Sequence, residues 1–325
     1  MELFNVKSIC LFLSLIVLGR SQLEEKCPTT NIWPCTCKTY LDGACIITCS
    51  LATQEQVDKI ADIPNLCDGD VHFMLVHSKI SGISSKLWKV LLSSKTVDVS
   101  IKRATVEGLV RPGDESIPSV YTPGAAVIKV DHSKVENFNW KQFSKFYSEG
   151  ELTIVVEDTH LTELTPEFGE IASGQVEKVA IESAGLKVIR DHQFEPFADL
   201  ESLSLQNNEL TSISRSILAK PAKKLQFLHL NGNSLTSIPV DLFSDMPALE
   251  VVYLRENNLV TLPQDLFSSI SSPNLQRIDF VNNPWHCDCR LMWILKNSKY
   301  HLNMGICATP DSLAGKKIKS NMLEC

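Results

Sequence analysis

The chain has 325 residues, 44% of them hydrophobic, and a formal net charge of −7. That much apolar material builds a sizeable core and excludes a disordered chain, and the negative balance excludes a general attraction to nucleic acid. Eleven cysteines point to an oxidising compartment.

The first element is Lys7 followed by an apolar run from Ile9 to Leu18, with the small residues Gly19 and Ser21 behind it. The run is too short to cross a bilayer. It predicts a signal peptide over 1–21, removed together with Cys10. The other ten cysteines form an even set, as full pairing requires. No second stretch of membrane length follows, and no hydrophobic tail of the kind a lipid anchor needs. The expected product is secreted, extracellular and not inserted in a membrane.

Residues 22–69 hold Cys27, Cys35, Cys37, Cys45, Cys49 and Cys67, and residues 284–325 hold Cys287, Cys289, Cys307 and Cys325. None falls between them. Both segments read as caps. Cys35-x-Cys37 and Cys287-x-Cys289 each have one intervening residue, where zinc ligands usually have about two to four. In an oxidising compartment disulfides are expected, and no metal or other cofactor.

Between the caps, residues 70–283 repeat. Leu200, Leu203, Leu205, Asn208 and Leu210 form a unit that recurs from Leu225, from Leu249 and from Leu275, with starts 25, 24 and 26 residues apart. These fit L-x-x-L-x-L-x-x-N-x-L, the leucine-rich-repeat signature. Weaker copies lie upstream at Phe73/Leu75/Ser78, Val99/Ile101/Ala104, Ile128/Val130/Ser133, Ile154/Val156/Thr159 and Val179/Ile181/Ala184. That makes about nine repeats. In the weak copies a small residue stands where the strong ones have Asn, and looser bends or bound water are expected there.

The fourth and sixth positions of the unit face the same side of a short strand. One unit cannot bury that side alone, but stacked units share a core. The expected fold is an α/β leucine-rich-repeat solenoid, a horseshoe. Its parallel sheet lies on the concave face, its convex side is irregular or briefly helical, and disulfide caps close both ends. The turn-rich segment Arg111–Gly124 lengthens its repeat and predicts a loop off the stack.

The run Asn283-Pro284-Trp285, then Cys287, Cys289, Cys307, Pro310, Gly315 and Cys325, resembles the C-terminal cap of extracellular leucine-rich-repeat proteins. The resemblance implies the pairs Cys287–Cys307 and Cys289–Cys325. The run Cys27-Pro28, Cys35-Thr36-Cys37, Cys49 resembles the matching N-terminal cap and implies Cys27–Cys37 and Cys35–Cys49, leaving Cys45 and Cys67 as an extra pair. Together with Trp33-Pro34 and Gln54-Glu55-Gln56-Val57, this run is also similar to the start of the non-catalytic subunit group of arthropod oplophorus-luciferin 2-monooxygenase. That likeness implies an accessory role beside a separate catalytic chain. Cys45 and Cys67 depart from the group's pattern.

Binding in such a fold uses the concave strands. The repeat register exposes Phe227, His229, Val251, Tyr253 and Arg255 on adjacent strands, and aromatics beside Arg resemble interface anchors. Glu157, Asp158 and Glu182 form an acidic candidate within a stretch from Glu149 to Glu182 that carries nine acids and a single base, Lys178. Such a patch steers a basic partner or binds a cation when it is more than a solvated face. Arg290, Lys296, Lys299, Lys316, Lys317 and Lys319 give a weaker expectation of contact with acidic glycans. The sequence carries no Gly-x-Ser-x-Gly, no phosphate-binding loop and no His-Glu-x-x-His, so no catalytic residue is assigned. The expected function is a non-catalytic scaffold that holds a protein partner. The accessory subunit is its specific form, and innate-immune or extracellular-matrix recognition is the alternative.

Overall fold

A computed structural model of the chain describes residues 27, 31–39, 44–63, 66, 67, 69–114, 117, 120–171, 175–295 and 301–319. The expected signal peptide and Cys325 lie outside these residues.

Twelve strands form one sheet whose order in space is the order in sequence. They are β1 (Cys35–Thr39), β2 (Cys45–Ser50), β3 (Val71–Val76), β4 (Val97–Lys102), β5 (Ala126–Asp131), β6 (Leu152–Glu157), β7 (Val176–Glu182), β8 (Ser202–Ser204), β9 (Phe227–His229), β10 (Val251–Tyr253), β11 (Arg277–Asp279) and β12 (His301–Asn303). Only β1 runs antiparallel; every later neighbour pair is parallel. The fourth positions of all nine repeats stand in one register, from Phe73 through Val99, Ile128, Ile154, Val179, Leu203, Leu228 and Val252 to Ile278. Each of them is buried. This is the leucine-rich-repeat solenoid that the spacing predicts. Its sheet also continues into both cysteine segments, through β2 and β12.

Each coil leaves its strand through a left-handed residue at the eighth position. Leu51, His77, Arg103, His132, Asp158, Ser183, Asn207, Glu256 and Asn282 all have φ between 47° and 61° there. Such a conformation costs an ordinary residue roughly 1–2 kcal/mol, so the ladder behind it must hold it in place. In the late coils that ladder is asparagine. Asn208 Nδ2 donates to the carbonyl of Ile181 at 2.7 Å, and its Oδ1 accepts from the amides of Ala184 and Leu186 at 3.1 Å. Asn233, Asn257 and Asn283 bond in the same way. In two of the early coils a serine takes its place. Ser78 Oγ accepts from the Ala52 amide at 3.0 Å, and Ser133 Oγ accepts from the Ala104 amide at 3.1 Å. A hydroxyl both donates and accepts, so it does in small what the amide does. Thr159 departs from this: its Oγ1 is buried without a hydrogen-bond partner.

The convex side carries two helices, α1 (Gln54–Ile60) and α2 (Ser85–Leu92), then short 3-10 turns. Thr53 starts α1 with a reciprocal cap: its hydroxyl accepts from the Gln56 amide and the Gln56 side chain accepts from the Thr53 amide. Residues 79–80, 105–108 and 134–137 add a small parallel sheet on this side. The largely aliphatic core between the layers holds a run of aromatic rings. Trp88 meets Phe143 at 5.0 Å, Trp140 meets Phe168 at 5.1 Å, and Phe168 meets Phe197 at 5.5 Å, all edge to face. Each buried ring contributes roughly 1.5–3 kcal/mol; edge-to-face pairing adds about 0.5–1.5 kcal/mol.

The loop expected over 111–124 packs back onto the solenoid. Arg111 bridges Asp58 of α1 at 2.7 Å and Asp114 at 2.9 Å, Ile117 is buried, and residues 120–122 pair in parallel with 146–148. Cysteine pairing follows the resemblance: Cys27–Cys37, Cys35–Cys49, Cys45–Cys67 and Cys287–Cys307 are disulfides. Cys35 and Cys49 are direct partners across β1 and β2. Cys289 is also disulfide-bonded; the pair expected for it, with Cys325, reaches outside the described residues.

Candidate protein-binding surface

Short strands with buried central residues leave their flanking residues on the open face. On β9 the buried Leu228 presents Phe227 and His229, and on β10 the buried Val252 presents Val251 and Tyr253. Register brings Phe227 beside Val251 and His229 beside Tyr253. The rings of His229 and Tyr253 are 5.0 Å apart, and those of Phe227 and His229 are 6.5 Å apart. All four side chains are half-buried. Arg255 follows two residues after Tyr253, with its amide donating to Asn231 Oδ1 at 2.9 Å. The five patch candidates therefore lie together.

Two further residues join them that the sequence reading did not single out. Arg277 of β11 holds its guanidinium 5.4 Å from the centre of the Tyr253 ring. Asp279, beside Tyr253 in register, is buried and receives Arg277 at 2.8 Å. The signal was available: both stand at the third and fifth positions of the fourth strong repeat.

The electrostatics around His229 are set by burial. Burial pushes its pKa below the ordinary value, against a smaller upward pull from Glu182. Its Nε2 is buried without a hydrogen-bond partner, as is Ser204 Oγ on the neighbouring strand.

The acidic candidates do not form one patch of free charge. Glu157 pairs with Lys129 at 2.6 Å, and Glu182 accepts from Gln206 at 2.7 Å. Asp158 falls past the end of β6, in the left-handed bend rather than on the strand, where it faces His132 Nε2 at 3.3 Å. The other nitrogen of His132 is taken by Asp131, so this trio is bonded within itself. Among the basic C-terminal residues, Arg290 is paired with Asp288 at 2.8 Å and Lys316 Nζ donates to the Ser312 carbonyl at 2.9 Å. Lys296 and Lys299 lie outside the described residues.

Residues 223–284 match the family model described as leucine rich repeat, the stretch that forms β9, β10 and β11. The chain has the leucine-rich-repeat fold and, over part of its length, is similar to proteins that carry this repeat. It is 30% identical to the leucine-rich repeat transmembrane protein FLRT2 of Rattus norvegicus over 46% of this chain. It is 33% identical to the leucine-rich repeat and fibronectin type-III domain-containing protein 4 of Mus musculus over 38% of this chain. The matches span 27% and 20% of those relatives, so the chain covers about a quarter of the length of the curated proteins it resembles. Two solved structures share the fold at 14% identity. One contains the leucine-rich-repeat part of FLRT2 in an octameric complex with latrophilin 3 and Unc5D, with a TM-score of 0.56 over 92% of this chain and all of that one. The other is human 5T4, the trophoblast glycoprotein, with a TM-score of 0.55 over 94% of this chain and all of that one. Among the described residues no helix is long and apolar enough to cross a membrane.

Proposed function

We propose that this chain is a secreted, non-catalytic binding scaffold that holds a protein partner on its concave face, centred on Phe227, His229, Val251, Tyr253 and Arg255. The observation that carries this reading is the aromatic series Phe227–His229–Tyr253 running across two adjacent strands, edged by Arg255 and Arg277. Tyr and Arg are enriched among the residues that anchor interfaces, and an aromatic ring buries a large area at small entropic cost. FLRT2 is seen in complex with latrophilin 3 and Unc5D, which supports a protein rather than a small molecule as the ligand here.

The test is a binding screen against a panel of purified extracellular domains, with wild type and a Phe227→Ala, Tyr253→Ala double variant compared on every hit. Loss of about 3 kcal/mol of binding energy, near a hundredfold in Kd, is expected of the double variant. Equal affinity of the two proteins for their hits overturns the assignment. Hits drawn from matrix components or microbial surface proteins decide in favour of the recognition alternative. The accessory-subunit form of the reading rests on the likeness of the N-terminal run alone; the disulfides there are those of the general cap, and Cys45–Cys67 departs from the group's pattern. Size-exclusion of native material tests it: a lone monomer argues against it.

A further inference from the structure

Two guanidinium groups share one carboxylate on this face. Arg277 Nη2 lies 2.8 Å from Asp279 Oδ2, and Arg255 Nε lies 3.9 Å from Asp279 Oδ1. The side chain of Asp279 is 1% exposed, whereas those of Arg255 and Arg277 are 43% and 49% exposed. The negative charge is therefore inside and the two positive charges are outside. Asp279 also accepts the Val281 amide at 3.2 Å, which fixes its position. Among the described residues, the ion pairs of Arg255 and Arg277 are made to Asp279 alone. At 3.9 Å the Arg255 contact is too long for a hydrogen bond, and its Nε has no hydrogen-bond partner. Arg277 is held in place by the Tyr253 ring as well.

The geometry points to a receiving site for one carboxylate side chain of the partner, an Asp or Glu set among apolar residues, between Arg255 and Arg277. The pair carries one unit of positive charge more than Asp279 neutralises. A guanidinium offers a planar fork that takes a carboxylate through two parallel hydrogen bonds. Because Asp279 and Tyr253 already hold the Arg277 fork, less of its side-chain entropy is lost on binding. Phe227, Val251 and Tyr253 beside the forks provide the apolar bed for the residues that flank the acid. One surplus charge suits a single carboxylate better than a polyanion. A sulfated glycan would also have to lie near Glu256, which follows Arg255 in the chain. This inference rests on the concave-face reading and specifies the chemistry of its partner.

The test uses the whole mature chain with arginine side chains labelled for NMR, titrated with three probes. These are the capped peptide acetyl-Leu-Asp-Phe-amide, its neutral twin acetyl-Leu-Asn-Phe-amide, and a heparin hexasaccharide. The Nε–Hε signals of Arg255 and Arg277 are expected to move saturably with the Asp peptide and about tenfold more weakly with the Asn twin. Arg255→Gln and Arg277→Gln should each bring the two peptides to near-equal affinity. Because Arg277→Gln weakens the pairing of the buried Asp279, the amide spectrum of each variant is first compared with that of wild type, and Arg255→Gln alone decides where Arg277→Gln fails to fold. Equal response to both peptides in wild type overturns the carboxylate. So does a preference that survives in the Arg255→Gln, Arg277→Gln double variant, or heparin binding tighter than the Asp peptide and lost in the same variants. These peptides do not depend on the ectodomain screen. A failed peptide test with the screen intact removes the carboxylate and leaves the surface, and the reverse pattern overturns only the functional assignment.

Discussion

The hydroxyl of Ser133 accepts the backbone amide of Ala104 at 3.1 Å, and the same oxygen lies 3.1 Å from the carbonyl of Ile101 and 2.8 Å from that of Asp131. It thus occupies the place that Asn208 fills for the coil of Ala184. Ser78 does so for Ala52. Each of the two serines thus serves the backbone amide of the residue one coil before it.

Removing either kind of rung strands buried backbone groups. Ser133→Ala leaves the Ala104 amide unpaired and should cost about 1–2 kcal/mol. Asn208→Ala strands two amides and several carbonyls and should cost about 2–4 kcal/mol. Urea unfolding of both variants checks the order. A Ser133→Ala cost equal to zero would show that the serine rung does not support the coil.

The strong repeats were readable because buried positions recur with leucine and the bend recurs with asparagine. The weak repeats were readable only through the period, since Phe73, Val99 and Ile128 keep bulk at the fourth position while the bend residue shrinks. Strand β2 was hidden although it obeys the same rule. Ile47, Cys49 and Ala52 hold the fourth, sixth and ninth positions, a constant 26 residues before Phe73, Leu75 and Ser78. There a disulfide cysteine fills an apolar site, and cysteine reads as cap before it reads as core. The repeat register places Arg277 and Asp279 on the open face, but the burial of Asp279 was not legible: a charged residue gives no local sign of whether its strand neighbours bury it.

Arg215 is the clearest such case. It is 1% exposed, and burial holds its pKa below the usual range despite the opposing charges of Asp245 and Asp241. Four carbonyls receive it, those of Ser244 at 2.7 Å, Ala219 at 2.8 Å, and Leu218 and Asp245 at 3.4 Å. The guanidinium thus clamps two consecutive coils where no strand joins them. Arg215→Met keeps the apolar stem but leaves those carbonyls without a donor, and should cost about 2–4 kcal/mol. Chemical denaturation measures it. A variant as stable as wild type would mean that water replaces the clamp.

The left-handed bends make a prediction of opposite sign at one position and strong penalty at another. Leu51 is 76% exposed at φ 53°, so its side chain contributes little packing while its backbone stays strained. Leu51→Gly should stabilise by roughly 0.5–1 kcal/mol, the relief of strain less the extra entropy of glycine in the unfolded chain. Gly232 occupies the same bend at φ 61°, but there a Cβ would run into Asn207 Oδ1. Gly232→Ala should therefore destabilise, through both the conformation and the displaced Asn207. Thermal melts of the two variants, moving in opposite directions, check the account. A shift of the same sign in both would contradict it.

His229 gives the concave face a pH dependence. Burial favours its neutral form in the native protein and lowers its pKa, with Glu182 opposing. The unfolded chain takes up the proton near the ordinary value of about 6.5. As pH falls through that value, the unfolded state binds the proton first, so native stability declines from there down to the lowered native pKa and is flat above. Lowering the pH should therefore weaken the protein through this residue, and His229→Gln should remove that part of the loss. Denaturation of wild type and variant at pH 7.5, 6.5 and about 5.5 isolates it, because other histidines cancel in the difference. The wild type must lose stability relative to the variant on acidification. A flat difference, or one in which the wild type gains, would show that Glu182 rather than burial governs this ring.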